Sequence, residues 1–264
     1  MTEILYIVIP CYNEQEVLAE TSRRVADKLE ALKNAGKIAR ESRILLVDDG
    51  SRDNTWQMIE VLYQERPKIF SGLKLSGNRG HQNALMAGLM TAKDRCDIAV
   101  SMDADLQDDI GAIDSFLEKR GEGCDIVYGV RSNREKDSAF KRITAQCFYR
   151  FMTLLGVNII CNHADYRLMS RRALEALAGH REVNLFLRGV IPLLGFKSDK
   201  VFYIRDKRFA GESKYPLRKM LSFAWNGISS FSVKPIRFVT ALGFAVSFMS
   251  VILILYSFYQ RFFG

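Results

Sequence analysis

The stretch DIAVSMDADLQDD (Asp97–Asp109) runs a short apolar segment straight into a turn that carries Asp103, Asp105, Asp108 and Asp109. Its first half reads as a buried strand, and the acidic residues stand just past that strand's carboxyl end. The same grammar recurs along the chain. ILYIVI (Ile4–Ile9), RILLV (Arg43–Val47), FSGLKL (Phe70–Leu75) and DIVYGV (Asp125–Val130) are further strand-like runs. Helical periodicity fills Glu14–Asn34, Asn54–Gln64, His81–Lys93 and Ile110–Lys119 between them. Alternation of strand and helix predicts the α/β class, with an open and mostly parallel central sheet. Ligands bind such sheets beyond the carboxyl ends of the strands, so the turns are where chemistry is expected. No Gly-x-Gly-x-x-Gly follows the first strand, which argues against a dinucleotide-dependent oxidoreductase.

Four turns carry informative residues. Asp103 and Asp105 are one residue apart and can converge on a hard divalent cation, Mg2+ or Mn2+, with Gln107 adding an oxygen. Such a cation would neutralise a diphosphate leaving group. An isolated Asp-x-Asp is more often an acidic helix cap; its place after the fourth strand favours the functional reading. VDDGSRDNT (Val47–Thr55) puts Asp48 and Asp49 at another strand end, with Gly50 permitting a tight turn. Those two carboxylates suit a base or ribose, whereas Asp53 or Asn54 suits a helix cap. IVIPCYNEQE (Ile7–Glu16) reads as a strand ended by Pro10, a turn, and a helix start near Asn13 or Glu14. NRGHQNALMAGL (Asn78–Leu89) is a glycine-containing turn entering a helix, whose N-terminus favours phosphate. His81 lacks a second ligand at metal spacing and reads as a local hydrogen-bonding residue.

The remainder sets the partners. A net charge of +8 on 264 residues predicts anionic partners without choosing among them. Five scattered cysteines with no Cys-x-x-Cys pair suggest a reducing compartment. The N-terminus opens into a strand with no basic leader, so a cytoplasmic catalytic domain is expected. Past residue 135 come a basic helix over Ser138–Leu155, the segment Asp165–Met169, a helix from Arg171 and an apolar helix over Leu185–Leu194. Phe196–Arg237 is basic and interleaved with aromatics, as suits amphipathic interfacial helices. Phe238–Tyr259 then runs without a charge for ~33 Å as a helix, enough to cross a hydrocarbon core of ~30 Å. Lys234 and Arg237 precede it, which places its N-terminal end on the cytoplasmic side. The expected division is 1–212 catalytic, 213–237 interfacial and 238–259 transmembrane.

Together these motifs resemble family 2 glycosyltransferases with the GT-A nucleotide-sugar fold. ADYRLMSR (Ala164–Arg171), RFAGESKYPLRKM (Arg208–Met220) and the membrane span are similar to the polyprenyl-phosphate branch, which includes dolichol-phosphate mannose synthases and bactoprenol glucosyl transferases. That resemblance implies a nucleotide-sugar site of Pro10, Tyr12, Glu14, Asp48, Asp49, Asn78, Gly80, Asp103 and Ala104. It implies metal ligation by Asp105 and Gln107 with Asp103 in the metal shell, and catalytic positions at Asp165, Arg131 and Arg208. Lys141, Arg142, Arg205, Ser213 and Lys214 would receive the acceptor phosphate; Ala145 stands where some relatives have serine. Members commonly have two or more membrane helices, and this sequence presents one.

The implied reaction is inverting transfer of a sugar from a nucleotide-sugar to a polyprenyl phosphate at the cytoplasmic face of the inner membrane. UDP-glucose and undecaprenyl phosphate are the leading expectation, no nucleic-acid partner is expected, and a homo-oligomer is left open. A transferase acting on a polysaccharide or other glycan is the first rival, although the Gln-x-x-Arg-Trp motif of processive synthases is absent. A nonenzymatic adaptor binding anionic lipid is the second, and the aspartates Asp103, Asp105 and Asp165 argue against it.

Overall fold

The computed structural model describes residues 2–132, 163–180, 187–205 and 234–263. The chain divides into two compact units, one of residues 1–144 and 160–214, the other of residues 145–159 and 215–264. The first unit is built on a seven-stranded sheet in the order β3-β2-β1-β4-β6-β5-β7. Its strands are β1 (Leu5–Cys11), β2 (Arg43–Asp48), β3 (Phe70–Lys74), β4 (Ile98–Ser101), β5 (Ile126–Arg131), β6 (His163–Ser170) and β7 (Ser198–Tyr203). The helices are α1 (Leu18–Asn34), α2 (Thr55–Glu65), α3 (His81–Lys93), α4 (Ala112–Gly121), α5 (Arg171–Ala178), α6 (Leu187–Leu193) and α7 (Lys234–Phe263). The expected mixed α/β architecture with a mostly parallel sheet is present.

Strand β1 sits mid-sheet and every one of its residues is buried, which is why it reads as a continuous apolar run instead of an alternating one. Leu18, Val25, Ala26, Leu29 and Leu32 form the buried stripe of α1 at helical spacing. Helix α1 starts at Leu18, later than Glu14, because residues 15–17 form a turn. Gly88 of α3 lies against the sheet so closely that a Cβ there would sit 2.4 Å from Val8 Cγ1 and 2.7 Å from Val47 Cγ2. That contact fixes α3 across β1 and β2, and with it the α3 N-terminus at the strand ends.

Pro10 lies inside β1, one residue before its end. Val8 O accepts the Met102 N–H, so Val8 faces β4, and Pro10 faces the same way two residues on. Having no N–H, Pro10 cannot continue that ladder, and pairing of β1 with β4 stops at Val8 and Ser101. The chain after Ser101 is thereby released into the acidic turn.

One strand differs from the simple parallel reading, and one more lies at the edge. β6 is antiparallel to both β4 and β5, and β7 adds the outer edge parallel to β5. Reversal of β6 brings its first residues to the rim where the other strands end. Helix α7 belongs to the second unit. Val239–Phe263 is long and apolar enough to cross a membrane, and its side chains are exposed along the whole length. Ser250 and Ser257 donate to the carbonyls of Val246 and Leu253, so neither hydroxyl is left unpaired on an apolar helix. The expected basic helix over Ser138–Leu155 lies outside the described residues, as does most of the interfacial segment.

Candidate active site

The rim formed by the ends of β1, β2, β4, β5 and β7 and the start of β6 collects most of the residues singled out in the sequence. The β1–α1 and β2–α2 turns are stitched together there. Asn13 N–H donates to Ser51 Oγ at 3.0 Å, and Arg52 N–H returns a bond to Asn13 Oδ1 at 2.8 Å. Glu14 N–H donates to Thr55 Oγ1 at 2.9 Å. Pro10 is buried in this junction, and Tyr12 and Glu14 are half-buried on it. Asp53, not Asn54, supplies the side-chain acceptor at the α2 start, taking the N–H groups of Thr55 and Gln15.

Asp48 is fully buried, and its Oδ1 accepts the Ser51 N–H at 3.1 Å. Asp49 uses both oxygens on the next turn, accepting from Arg79 N–H at 2.7 Å and Gly80 N–H at 2.9 Å. Gly80 holds φ +89°, and the approach here is tight. A Cβ on Gly50, itself at φ +67°, would lie 2.6 Å from Asn78 N. Asn78 is exposed on that turn.

The acidic turn is anchored from several sides. Thr21 Oγ1 donates to Ala104 O at 2.7 Å, and Tyr166 Oη to Asp109 O at 2.9 Å. Leu106 adopts φ +56°, a left-handed conformation that a branched side chain holds at a cost. It separates Asp105 from Gln107, whose N–H donates to Asp105 Oδ1 at 3.2 Å. Asp108 is buried and accepts from Tyr203 Oη at 2.5 Å, while Arg131 Nη2 lies 3.7 Å away. Burial, and then the neighbouring Asp103 charge, push the Asp108 carboxyl up to about 6. Arg205 donates to Gln107 Oε1. Arg131 and Arg205 therefore stand beside the acidic turn.

The register of β4 against β6 pairs Ser101 with Arg167, so Asp103 and Asp165, each two residues further out, come to the same place. His81 Nε2, at the start of α3, lies 3.5 Å from Asp103 Oδ1 and 3.5 Å from Asp165 Oδ2. Burial alone would lower the imidazole, but the hydrogen bond to Asp165 and the charge on Asp103 carry it to about 9. Asp165 is buried among Arg167, Arg188, Gln82 and His81. Burial would raise its carboxyl; Arg188 foremost, then His81 and Arg167, hold it well below the usual carboxylate range. His81 thus reaches beyond a local role, Gln82 beside it in the Asn78–Leu89 turn joins the site without having been singled out, and Arg188 joins it from outside any quoted motif. Lys141, Arg142, Arg208, Ser213 and Lys214 lie outside the described residues.

Among the described residues, no three His, Cys, Asp or Glu side chains close on a cation by themselves. Asp103, Asp105 and Gln107 offer hard oxygens in one turn, and the crowding felt by Asp108 is what a cation would relieve. This donor set fits a cation that completes its shell with substrate oxygens.

An uncharacterised glycosyltransferase, YkoT, of Bacillus subtilis is 54% identical over 99% of this chain and 77% of its own length. A prophage bactoprenol glucosyl transferase homologue of Escherichia coli is 36% identical over 93% of this chain and 78% of its own. The mannosyltransferase PcManGT of Pyrobaculum calidifontis, solved with GDP-Man and Mn2+, superposes with a TM-score of 0.54 at 15% identity, over 99% of this chain and 83% of that one. The glycosyl transferase family 2 model matches residues 6–178, the span from β1 to the end of α5, and the chain accordingly belongs to that family and is a glycosyltransferase.

Proposed function

We propose that the protein transfers a sugar from a nucleotide-sugar to a polyprenyl phosphate, with UDP-glucose and undecaprenyl phosphate the first pair to test. The observation that carries this reading is the shared rim. There Asp103 stands one side chain, that of His81, away from Asp165, Asp105 shares the turn of Asp103, and Arg131 and Arg205 reach that turn at Asp108 and Gln107. The bactoprenol-named relatives support a lipid acceptor, and α7 supports a membrane location. We place the catalytic unit on the cytoplasmic face, with residues 1–212 catalytic, 213–237 interfacial and 238–259 in the bilayer.

Asp103, Asp105 and Gln107 would hold a divalent cation, whose chemistry is to neutralise the departing nucleoside diphosphate. Mn2+ in the solved relatives supports that assignment. Pro10, Tyr12, Glu14 and the Asp49–Gly80 junction line the proposed nucleotide site. A lipid phosphate is already anionic, so the residues' main task is to bring a second anion to the first. Arg131, Arg205 and, by resemblance, Lys141, Arg142, Arg208, Ser213 and Lys214 meet that electrostatic cost. One phosphate oxygen attacks the anomeric carbon, the bond to the diphosphate breaks, and the configuration inverts. A carboxylate held by two guanidinium groups and a carboxamide is a weak proton acceptor. We therefore assign Asp165 the orientation of Arg188, Arg167 and His81 rather than general-base chemistry.

The test is incubation of membranes containing the protein with a panel of labelled nucleotide-sugars, followed by organic extraction. Label should enter an acid-labile lipid that is absent from control membranes. Label confined to a polysaccharide or protein fraction would overturn the lipid acceptor.

A further inference from the structure

Gln82 makes two bonds that no motif announces. Its Nε2 donates to Asp165 Oδ2 at 3.0 Å, and its Oε1 accepts the Leu187 N–H at 3.2 Å. Leu187 is the first residue of α6, and the next residue, Arg188, donates from Nη2 to Asp165 Oδ2 at 3.1 Å and from Nε to Oδ1 at 3.3 Å. The contacts form a closed ring: Gln82 grips both members of the Arg188–Asp165 pair, one by its side chain and the other through its backbone neighbour. We propose that Gln82 is a positioning residue of the transfer reaction, fixing α6 and Asp165 in one register so that Arg188 meets the substrate in a set orientation. The proposal rests on the transferase reading above.

The chemistry of the amide makes the claim specific. One end of residue 82 must donate to a carboxylate while the other accepts from a backbone N–H, and at this length only a carboxamide does both. Glutamate keeps the acceptor and loses the donor; methionine of similar length loses both. Asp165 would still have Arg167, Arg188 and His81 around it in either variant. Gln82→Met would keep the charge of the site while its orientation loosened, and Gln82→Glu would in addition set a second carboxylate beside Asp165. Gln82 is partly buried on the first turn of α3, and the Gly88 contact on the following turns holds that helix to the sheet independently of it. Folding should therefore depend little on the amide.

Gln82→Glu and Gln82→Met are compared with wild type in membranes, reading kcat, donor KM and melting temperature. Expected is a fall in kcat of roughly 10- to 100-fold in both, the scale of a misplaced catalytic group, with donor KM within about twofold. The melting temperature should stay that of wild type in at least Gln82→Met. Nucleotide release from the donor in water is read alongside. If wild type makes no lipid product, the acceptor assignment fails and Gln82 is judged on this hydrolysis instead. Wild-type kcat in Gln82→Glu, or a loss seen only in donor KM or only in melting temperature in both variants, would overturn the positioning role.

Discussion

Asp105 illustrates how much depends on single carboxylates here. It is buried in a turn already crowded by Asp103 and Asp108, and removing its charge while keeping its shape tests the cation assignment directly. Asp105→Asn should lower transfer by about 100-fold or more, the scale of losing one preorganised electrostatic contact. EDTA should abolish wild-type transfer and added Mn2+ or Mg2+ restore it; chelator-resistant turnover would end the assignment. His81 gives a pH signature. Its folded value of about 9 lies above the ordinary 6.5, so the stability it contributes is fully present below pH 6.5 and is lost as pH rises through 9. The gap in melting temperature between wild type and His81→Gln should be widest below pH 6.5 and should close towards pH 9 and above. Asp103, Asp165 and Arg188 are the charged groups that set it. Asp48, Asp49, Asp103 and Asp105 were legible in the sequence because they stand where an apolar run ends, whereas Asp165, inside β6, was marked only by the family resemblance. Gln82 and Arg188 were not legible, since their role exists only when α3, β6 and α6 meet.

At the scale of elements, Gly88 governs where α3 lies. Gly88→Ala would drive a methyl into Val8 and Val47, on two buried strands that cannot retreat. A loss of roughly 1–3 kcal/mol is expected in denaturant unfolding, typical of overpacking. Transfer should suffer too, because the α3 start carries His81 and Gln82; an unchanged midpoint would show that the helix can slide. The strands β1, β2, β4 and β5 were readable from their apolar runs, since a strand buried on both faces has little polar content to obscure it. The direction of β6 was not, because antiparallel and parallel pairing use the same local residues and differ only in the path between them. Edge strand β7 was hidden in a basic stretch: only Val201 and Tyr203 point inward, with charged and exposed residues between and around them.

For the whole molecule, the proposed division into a catalytic domain, an interfacial segment and a transmembrane helix predicts how the protein partitions. Wild type should resist extraction from membranes by alkaline carbonate. Val251→Lys places a charge midway along α7, at an insertion cost of about 2.5–3.5 kcal/mol, and should release a measurable fraction. Equal retention of both would point to anchoring by other segments. The charge-free run that marked α7 was plain in the sequence, although the helix extends at both ends beyond Phe238–Tyr259. Pro235 falls in the first turn, where its missing N–H costs no helix bond, and a hydropathy pattern registers only the apolar centre.

The left-handed backbone at Leu106 has a mechanical corollary. Rotation about that one residue would swing Asp105 and Gln107 against each other like the jaws of a caliper. The gap between the two residues is consequently set in part by a main-chain torsion, on which the side-chain rotamers act in turn. A looser residue at the pivot, such as glycine, would leave every oxygen in place chemically and yet slacken the cation site proposed for this turn.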